Sequence, residues 1–413
     1  MPAPTEKPMT PATVVLLLSL LLGMQPVATD LYLPALPMLS RSLQASMAQA
    51  QLTLSAMLMG FGLSQLAWGP LSDRFGRRPV LIAGQGLFLL ASVGAALAPG
   101  IDALIGWRGL QGLALGATMM GARAVIRDLY QPADAARVMS KALGGLGLFA
   151  CASAPLGGLL AQQLGWRAAL AGVALLGAAV LVVLLLRLGE TLQRPDPYAL
   201  QPARLLQNWR LILGHPTFWS QALISAFSFG GLFTFLSCSS FVFIGQMGLS
   251  QSGFGLVMLA MSLCYISGTF VCRRLLARLG VRRTIAAAAA LSLCGGIGLA
   301  IGAWLELNSP WSVALPFALY IMAHGIHQPC AQSGSVAPFP QAAGAASAWS
   351  GCLCMVLAFG NGQTLGWLLG KDWLNPHDAL GWGVLLWAAL LALNAWTAVQ
   401  RHGEVRPPPR RHA

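Results

Sequence analysis

Charge is what this sequence has least of. Only 9% of its 413 residues are Asp, Glu, Lys or Arg, against about 25% in soluble globular proteins. Hydrophobic residues make up 56% and the mean hydropathy is +0.67. A soluble domain is excluded. No G-x-x-x-x-G-K-[ST] phosphate loop occurs, so nucleotide hydrolysis has no footing. The absence of G-x-S-x-G and H-E-x-x-H argues against an intramembrane hydrolase. Neither the arginine ladder of a voltage sensor nor a TVGYG filter is present. The chain therefore reads as neither an enzyme nor a channel of those kinds. Its eight cysteines, Cys151, Cys238, Cys264, Cys272, Cys294, Cys330, Cys352 and Cys354, form no CxxC pair and fall in apolar segments. Buried cysteine behaves as a small hydrophobe, so no disulfide framework, metal site or bound cofactor is expected.

The scarce charges leave long gaps between them. Residues 12–29, 42–72, 79–101, 109–122, 142–166 and 168–186 hold no Asp, Glu, Lys or Arg, and neither do 216–272, 284–305, 307–370 and 379–400. A helix needs roughly 20 apolar residues to cross a bilayer. The 109–122 run reaches that length only by taking in Arg108 and residues before it, while the runs of 57 and 64 residues each hold two helices and a turn. Backbone groups in hydrocarbon must be paired inside a helix or around a closed barrel. These runs are too long and too evenly apolar for alternating barrel strands. The expectation is an all-α polytopic membrane protein with six spans, a break and six more. The first segment is read as a span and not a cleavable signal, because it contains Pro26, is followed by Asp30 and lacks a small-residue cleavage site.

A formal net charge of +13 would elsewhere suggest nucleic acid. With twelve spans and the N-terminus inside, 21 of the 25 Lys and Arg fall in or near cytoplasmic segments, Lys7, Arg123, Arg127 and Arg410 among them. Arg41, Arg167 and Lys371 lie outside, and Arg108 lies at or within a span. That is the positive-inside bias. It puts both termini in the cytoplasm and the chain in the inner membrane, with lipid and not nucleic acid around it.

Between the sixth and seventh spans, residues 189–214 hold Glu190, Arg194, Pro195, Asp196, Pro197, Pro202, Arg204 and Arg210. This reads as a cytoplasmic linker joining an N-terminal six-helix bundle, 1–188, to a C-terminal one, 215–413, which ends in a basic tail. The stretch Asp73-Arg74-Phe75-Gly76-Arg77-Arg78-Pro79 is echoed by Ala277-Arg278-Leu279-Gly280-Val281-Arg282-Arg283-Thr284 about 204 residues later. Basic loops follow from topology alone, but equal span counts and the shared Arg-x-Gly core favour duplication. Duplicated halves supply an interface within one chain, so a monomer is expected.

A charged side chain inside a span costs about 2.5–3.5 kcal/mol on insertion scales, which makes each one a functional candidate. Of 12 acids, only Asp30 falls plainly within the membrane. Burial disfavours a charged carboxylate, so surroundings that alternate between wet and dry allow it to release and take up a proton. Asp30 is a candidate proton carrier or anchor for a cationic substrate, the plainer reading being a helix-end acid that reaches the outer surface. Arg108 is its natural partner: always protonated, it favours the ionised carboxylate when near and frees it when distant. Span five carries Ala154-Pro155-Leu156-Gly157-Gly158. Small residues permit close approach and proline frees a carbonyl, so a bending or sealing helix is expected. His324 and His327, one turn apart in span ten, could contact substrate or relay protons. Tyr32, Gln65, Gln111, Met119, Phe235, Tyr320, His327 and Trp349 are candidates to line a substrate cavity, although core or lipid-facing packing is the simpler account of most.

Several of these stretches resemble those of a known family. Gly69-Pro70-Leu71-Ser72-Asp73-Arg74-Phe75-Gly76-Arg77-Arg78-Pro79 closely resembles the loop signature of the major facilitator superfamily. Thr29-Asp30-Leu31-Tyr32-Leu33-Pro34-Ala35-Leu36-Pro37 is similar to the span-one signature of its drug:proton antiporters with twelve spans. Arg108 through Gly116 resembles their span-four motif, and Ala154 through Gly158 their span-five motif, with Ala154 where Gly is usual. Pro338-Phe339-Pro340 to Gly344-Ala345-Ala346-Ser347-Ala348 resembles the Bcr/CflA subgroup. The resemblance implies two rocking bundles, protons as the coupling ion, and export of small amphipathic compounds such as drugs. The alternatives are a dedicated nucleoside-like metabolite exporter of the same family and, from another class, a non-transporting receptor. By the same resemblance, Asp30 serves substrate and proton coupling, and Arg108 the proton step. Pro155, Gly157 and Gly158 set the exchange direction, while Gly69, Asp73, Arg74, Gly76, Arg77 and Arg78 form a cytoplasmic gate between the bundles.

Overall fold

The computed structural model describes residues 9–371 and 373–404. Lys7 and the basic tail with Arg410 lie outside the described residues. Helix α1 (Pro11–Asp30) starts at Thr10, whose hydroxyl accepts from the Thr13 amide, and stops where prolines follow. Pro34 has no N–H to offer the carbonyl of Asp30, and the chain passes through a 3-10 turn, Leu33–Ala35, into α2 (Leu36–Ser42). A reciprocal cap between Ser46 and Gln49 opens α3 (Met47–Phe75). Gly76 alone, at φ 101°, turns the chain into α4 (Arg77–Ala96), a conformation that glycine adopts without penalty. The first half closes with α5 (Ile101–Leu129), α6 (Pro132–Leu164) and α7 (Trp166–Arg187). The expected linker is partly helical: it contains α8 (Pro202–Leu213), whose Trp209 meets Trp349 edge-on at 5.5 Å.

The second half comprises α9 (Pro216–Ser240), α10 (Gln251–Trp304), α11 (Pro310–Val336), α12 (Ala343–Gly370), α13 (Pro376–Trp396) and the short α14 (Ala398–His402). Gly280, at φ 73°, bends α10 into two arms. Eight stretches are long and apolar enough to cross a membrane by length and composition. The second arm of α10 and the more polar α3, α5 and α11 bring the crossings among the described residues to twelve. No strand occurs among the described residues.

In the first half α5 packs against α3 and α4, α7 against α4, and α1 against α6; in the second, α10 packs against α11 and α13, and α9 against α11, α12 and α13. Two seams join these six-helix bundles, α3 with α12 and α6 with α10. Glycines make both seams tight. Gly62 faces Met355 and Gly351 faces Gln65 on the first; Gly158 faces the Gln251 backbone and Gly255 that of Ala154 on the second. At the end away from the linker both are closed, by Ala48 against Gly366 and by Gln162 accepting from the Ser252 amide at 3.4 Å. Toward the linker the second seam loosens: a Cβ on Gly147 would meet only Ile266, at 3.8 Å, and one on Gly144 nothing within 4 Å.

Candidate functional site

The residues around Asp30 meet where α1 unwinds. Arg108 projects from α5 and is wholly buried. Its Nη1 donates to the Ala28 carbonyl at 3.0 Å and to Gln111 Oε1 at 2.5 Å. Ala28 lies in the last turn of α1, where carbonyls have no helical partner, so the guanidinium caps that helix. It also stands 4.6 Å over the Tyr32 ring, a cation–π contact. The Tyr32 hydroxyl pairs with Thr53 at 2.8 Å, and Gln111 Nε2 donates to Ser92 at 2.7 Å. Asp30, half-buried, accepts from the Thr29 hydroxyl at 2.9 Å. Among the described residues no ion pair joins Asp30 to Arg108, and Arg108 Nε and Nη2 have no partner. The direct pairing expected from the sequence is thus not made in this state, because the helix end and the tyrosine ring hold the guanidinium instead. Close packing buries it: a Cβ on Gly112 would collide with the Met57 carbonyl, and one on Gly60 with that of Gly109.

The span-five motif adjoins this knot. Pro155 sits inside α6, which runs on past it. Gly157 abuts the Leu31 carbonyl, Gly158 the Gln251 backbone, and Gly255 comes against Ala154 and Pro155. The end of α1, the last third of α6 and the start of α10 therefore touch at Ala154 to Gly158.

The cavity candidates scatter. Gln65 lies on the α3–α12 seam, Met119 is half-buried on α5, and Trp349 packs on Trp209 of the linker helix. Phe235 and Tyr320 require correction: each stacks with Phe317, at 3.6 and 5.7 Å between ring centres, and both are fully buried in the core. Stacked rings bury more apolar area there than they would beside water. His327 is also a core residue, its Nε2 donating to the Ile285 carbonyl at 3.4 Å. His324 turns elsewhere and shares a 2.8 Å hydrogen bond with the Ser228 hydroxyl, so the two imidazoles do not serve one site. No cluster suited to a metal ion occurs among the described residues.

The basic turn after α3 is an ion-pair network. Arg77, 2% exposed, donates from Nη1 to Asp73 at 2.7 Å and from Nε to Asp128 at 2.8 Å. Glu190 from the linker accepts the amides of Arg77, Thr191 and Leu192 at 2.9 Å each and that of Arg78 at 3.2 Å. A carboxylate there suits the positive N-terminus of α4. Gly76 leaves room for Glu190, and Gly69 has open space around it. Arg78 donates to the Leu188 carbonyl at 2.7 Å, Arg74 to that of Pro197 at 3.4 Å, and the Asp196 amide to that of Asp73 at 3.0 Å. The expectation of a cluster lying between the bundles is corrected here: these bonds tie α3, α4, α5 and the linker to one another within the first half. Near this cluster, a bond between the halves runs from Arg123 of α5 to the Ser347 hydroxyl of α12. Arg123, expected in or near a cytoplasmic segment, lies inside α5. Asp128 and Glu190 are the participants that sequence reasoning missed; each is a lone acid among arginines, and that charge pattern was the available signal.

Comparison with known proteins extends this picture. The family model of the Major Facilitator Superfamily matches residues 18–363. Multidrug resistance protein D of Escherichia coli (strain K12) is 28% identical over 82% of this chain and 84% of its own. Chloramphenicol resistance protein of Pseudomonas aeruginosa is 29% identical over 92% and 88%, and Multidrug resistance protein MdtL of Escherichia coli O9:H4 (strain HS) 30% over 79% and 81%. The xylose transporter XylE from E. coli, in a partially occluded inward-open conformation, superposes with a TM-score of 0.74 at 16% identity, covering 94% of this chain and 97% of that one. An inward-facing bacterial homolog of the human lysosomal transporter Spinster gives 0.73 at 18%, covering 97% and 100%. At those identities the solved structures speak to the fold alone. With twelve crossings in two joined bundles and a family match over most of its length, the chain belongs to the Major Facilitator Superfamily.

Proposed function

We propose that the protein is a proton-coupled transporter that exports small amphipathic compounds across the cytoplasmic membrane by alternating access. The observation that carries this reading is Asp30, the acid that stands within a span, next to a helix end held by a buried arginine with two unpartnered donors. The end of α1 also presses on Gly157 at the closed side of the seams. Opening that side parts α6 from α10 beside the end of α1, wets Asp30 and frees Arg108 to approach it, so proton release accompanies the change of access. Residues 1–188 and 215–413 act as the two rocking units, 189–214 tethers them, and the positive-inside bias of the Lys and Arg supports a cytoplasmic position for both termini. Protons serve as the coupling ion and no other cofactor is required. The names of the relatives, which refer to multidrug and chloramphenicol resistance, support drug export over a dedicated metabolite route. Each proton entering down 100 mV yields about 2.3 kcal/mol, roughly 50-fold in concentration. In respiring inverted vesicles, adding chloramphenicol should partly collapse the pH gradient when the protein is present. No collapse with chloramphenicol or with any of a panel of drugs and nucleosides overturns the reading.

A further inference from the structure

Resting on the transporter reading, we infer that the path between the halves holds a subsite favouring substrates that carry an anionic group over neutral ones, formed by Arg123 of α5 together with Ser347 at the start of α12. Arg123 lies nearly two turns inside the end of α5 and is half-buried between the halves. Among the described residues it has one side-chain partner, the neutral Ser347 hydroxyl, and no carboxylate. Arg77, Arg127, Arg204 and Arg282, by contrast, each have one. An unneutralised cation in a span is a candidate binding group. Its remaining nitrogens are not sealed in, unlike those of Arg108.

The surroundings carry the same sign. Helix α12 begins without a side-chain cap at Ala342, about one turn before Ser347, so the positive end of its dipole lies nearby without a carboxylate to offset it. Arg127 Nη1 comes within 3.8 Å of where a Cβ on Gly344 would sit. The nearby acids, Asp73 and Asp128, pair with Arg77 and with Arg127, and neither reaches Arg123. The Arg123 guanidinium and the Ser347 hydroxyl thus meet near the uncapped start of α12 with no carboxylate on Arg123 among the described residues. A planar carboxylate fits such a fork with two parallel hydrogen bonds, while an ammonium group is repelled. Because the site draws on α5 and α12, a bound anion would bridge the two halves where Ser347 now does.

Equilibrium binding to the purified full-length protein tests this, with 4-nitrobenzoate, 4-nitrobenzamide and 4-nitrobenzylamine as probes matched in shape and differing in charge. The wild type should bind the benzoate at least tenfold more tightly than the other two. Arg123→Gln should remove that preference and leave the amide within twofold. Arg123→Lys, which keeps the charge but loses the fork, should retain part of it and decides the matter should the Gln variant fail to fold. No benzoate preference in the wild type, an unchanged preference in both variants, or equal loss for all three probes overturns the proposal. The measurement needs no proton gradient, so failure of proton coupling stays distinguishable from failure of the anion site.

Discussion

Arg77 shows how one side chain can fix a corner of the molecule. It is nearly enclosed while its guanidinium spans carboxylates from two helices, Asp73 of α3 and Asp128 of α5. Removing one partner of a buried ion pair costs more than the pair contributes, because charge is left behind unpaired. Arg77→Ala should therefore destabilise the protein by about 3 kcal/mol, read as a lower unfolding temperature in detergent, and Arg77→Lys by about half as much; an unchanged temperature for both would show that water has replaced the pairs. Asp30 and Arg108 were legible in the sequence because charge inside a hydrocarbon span is rare and stands out. That Arg108 would bond to Ala28 was not legible. It depends on Pro34 ending α1, a condition set far from residue 108 in the chain, and on Gly112 letting α5 close on α3, which shows only once the two helices are placed together. Glu190 escaped notice for a related reason: its partners are backbone amides, and any residue at the start of α4 would have offered them.

At the scale of elements, the apolar runs foretold the spans well because hydrocarbon leaves the backbone no alternative to a helix. The run 109–122 was too short by itself, and the structure extends it to Ile101–Leu129 with charged residues at both ends. Seam geometry was hidden, since it rests on which glycines face a neighbour. Gly112 has the Met57 carbonyl against it, whereas Gly144 has nothing within 4 Å. Gly112→Leu should prevent α3 and α5 from closing and abolish accumulation of folded protein in membranes. Gly144→Ala should be neutral or raise stability by up to about 1 kcal/mol, from helix propensity. Monodisperse, full-yield Gly112→Leu protein in size-exclusion chromatography would contradict the packing described. Phe235 and Tyr320 were misplaced because an aromatic residue on a span looks the same whether it faces a cleft or a ring stack.

For the whole molecule, the closed end of the two seams and the looser linker end of the α6–α10 seam describe one side of an alternating cycle. Gln162 and Ser252 touch across the closed end. Replacing both by Cys and oxidising should halt transport, and a reductant should restore it, with the single replacements as controls for the eight native thiols. Full transport by the cross-linked protein would mean that this end never opens. Energy coupling is the central claim, and uphill and downhill movement by Asp30→Asn measure it most directly. In proteoliposomes the variant should still exchange labelled chloramphenicol down its gradient but fail to concentrate it when a pH gradient is imposed. Concentrative transport by Asp30→Asn at the wild-type level would contradict the account.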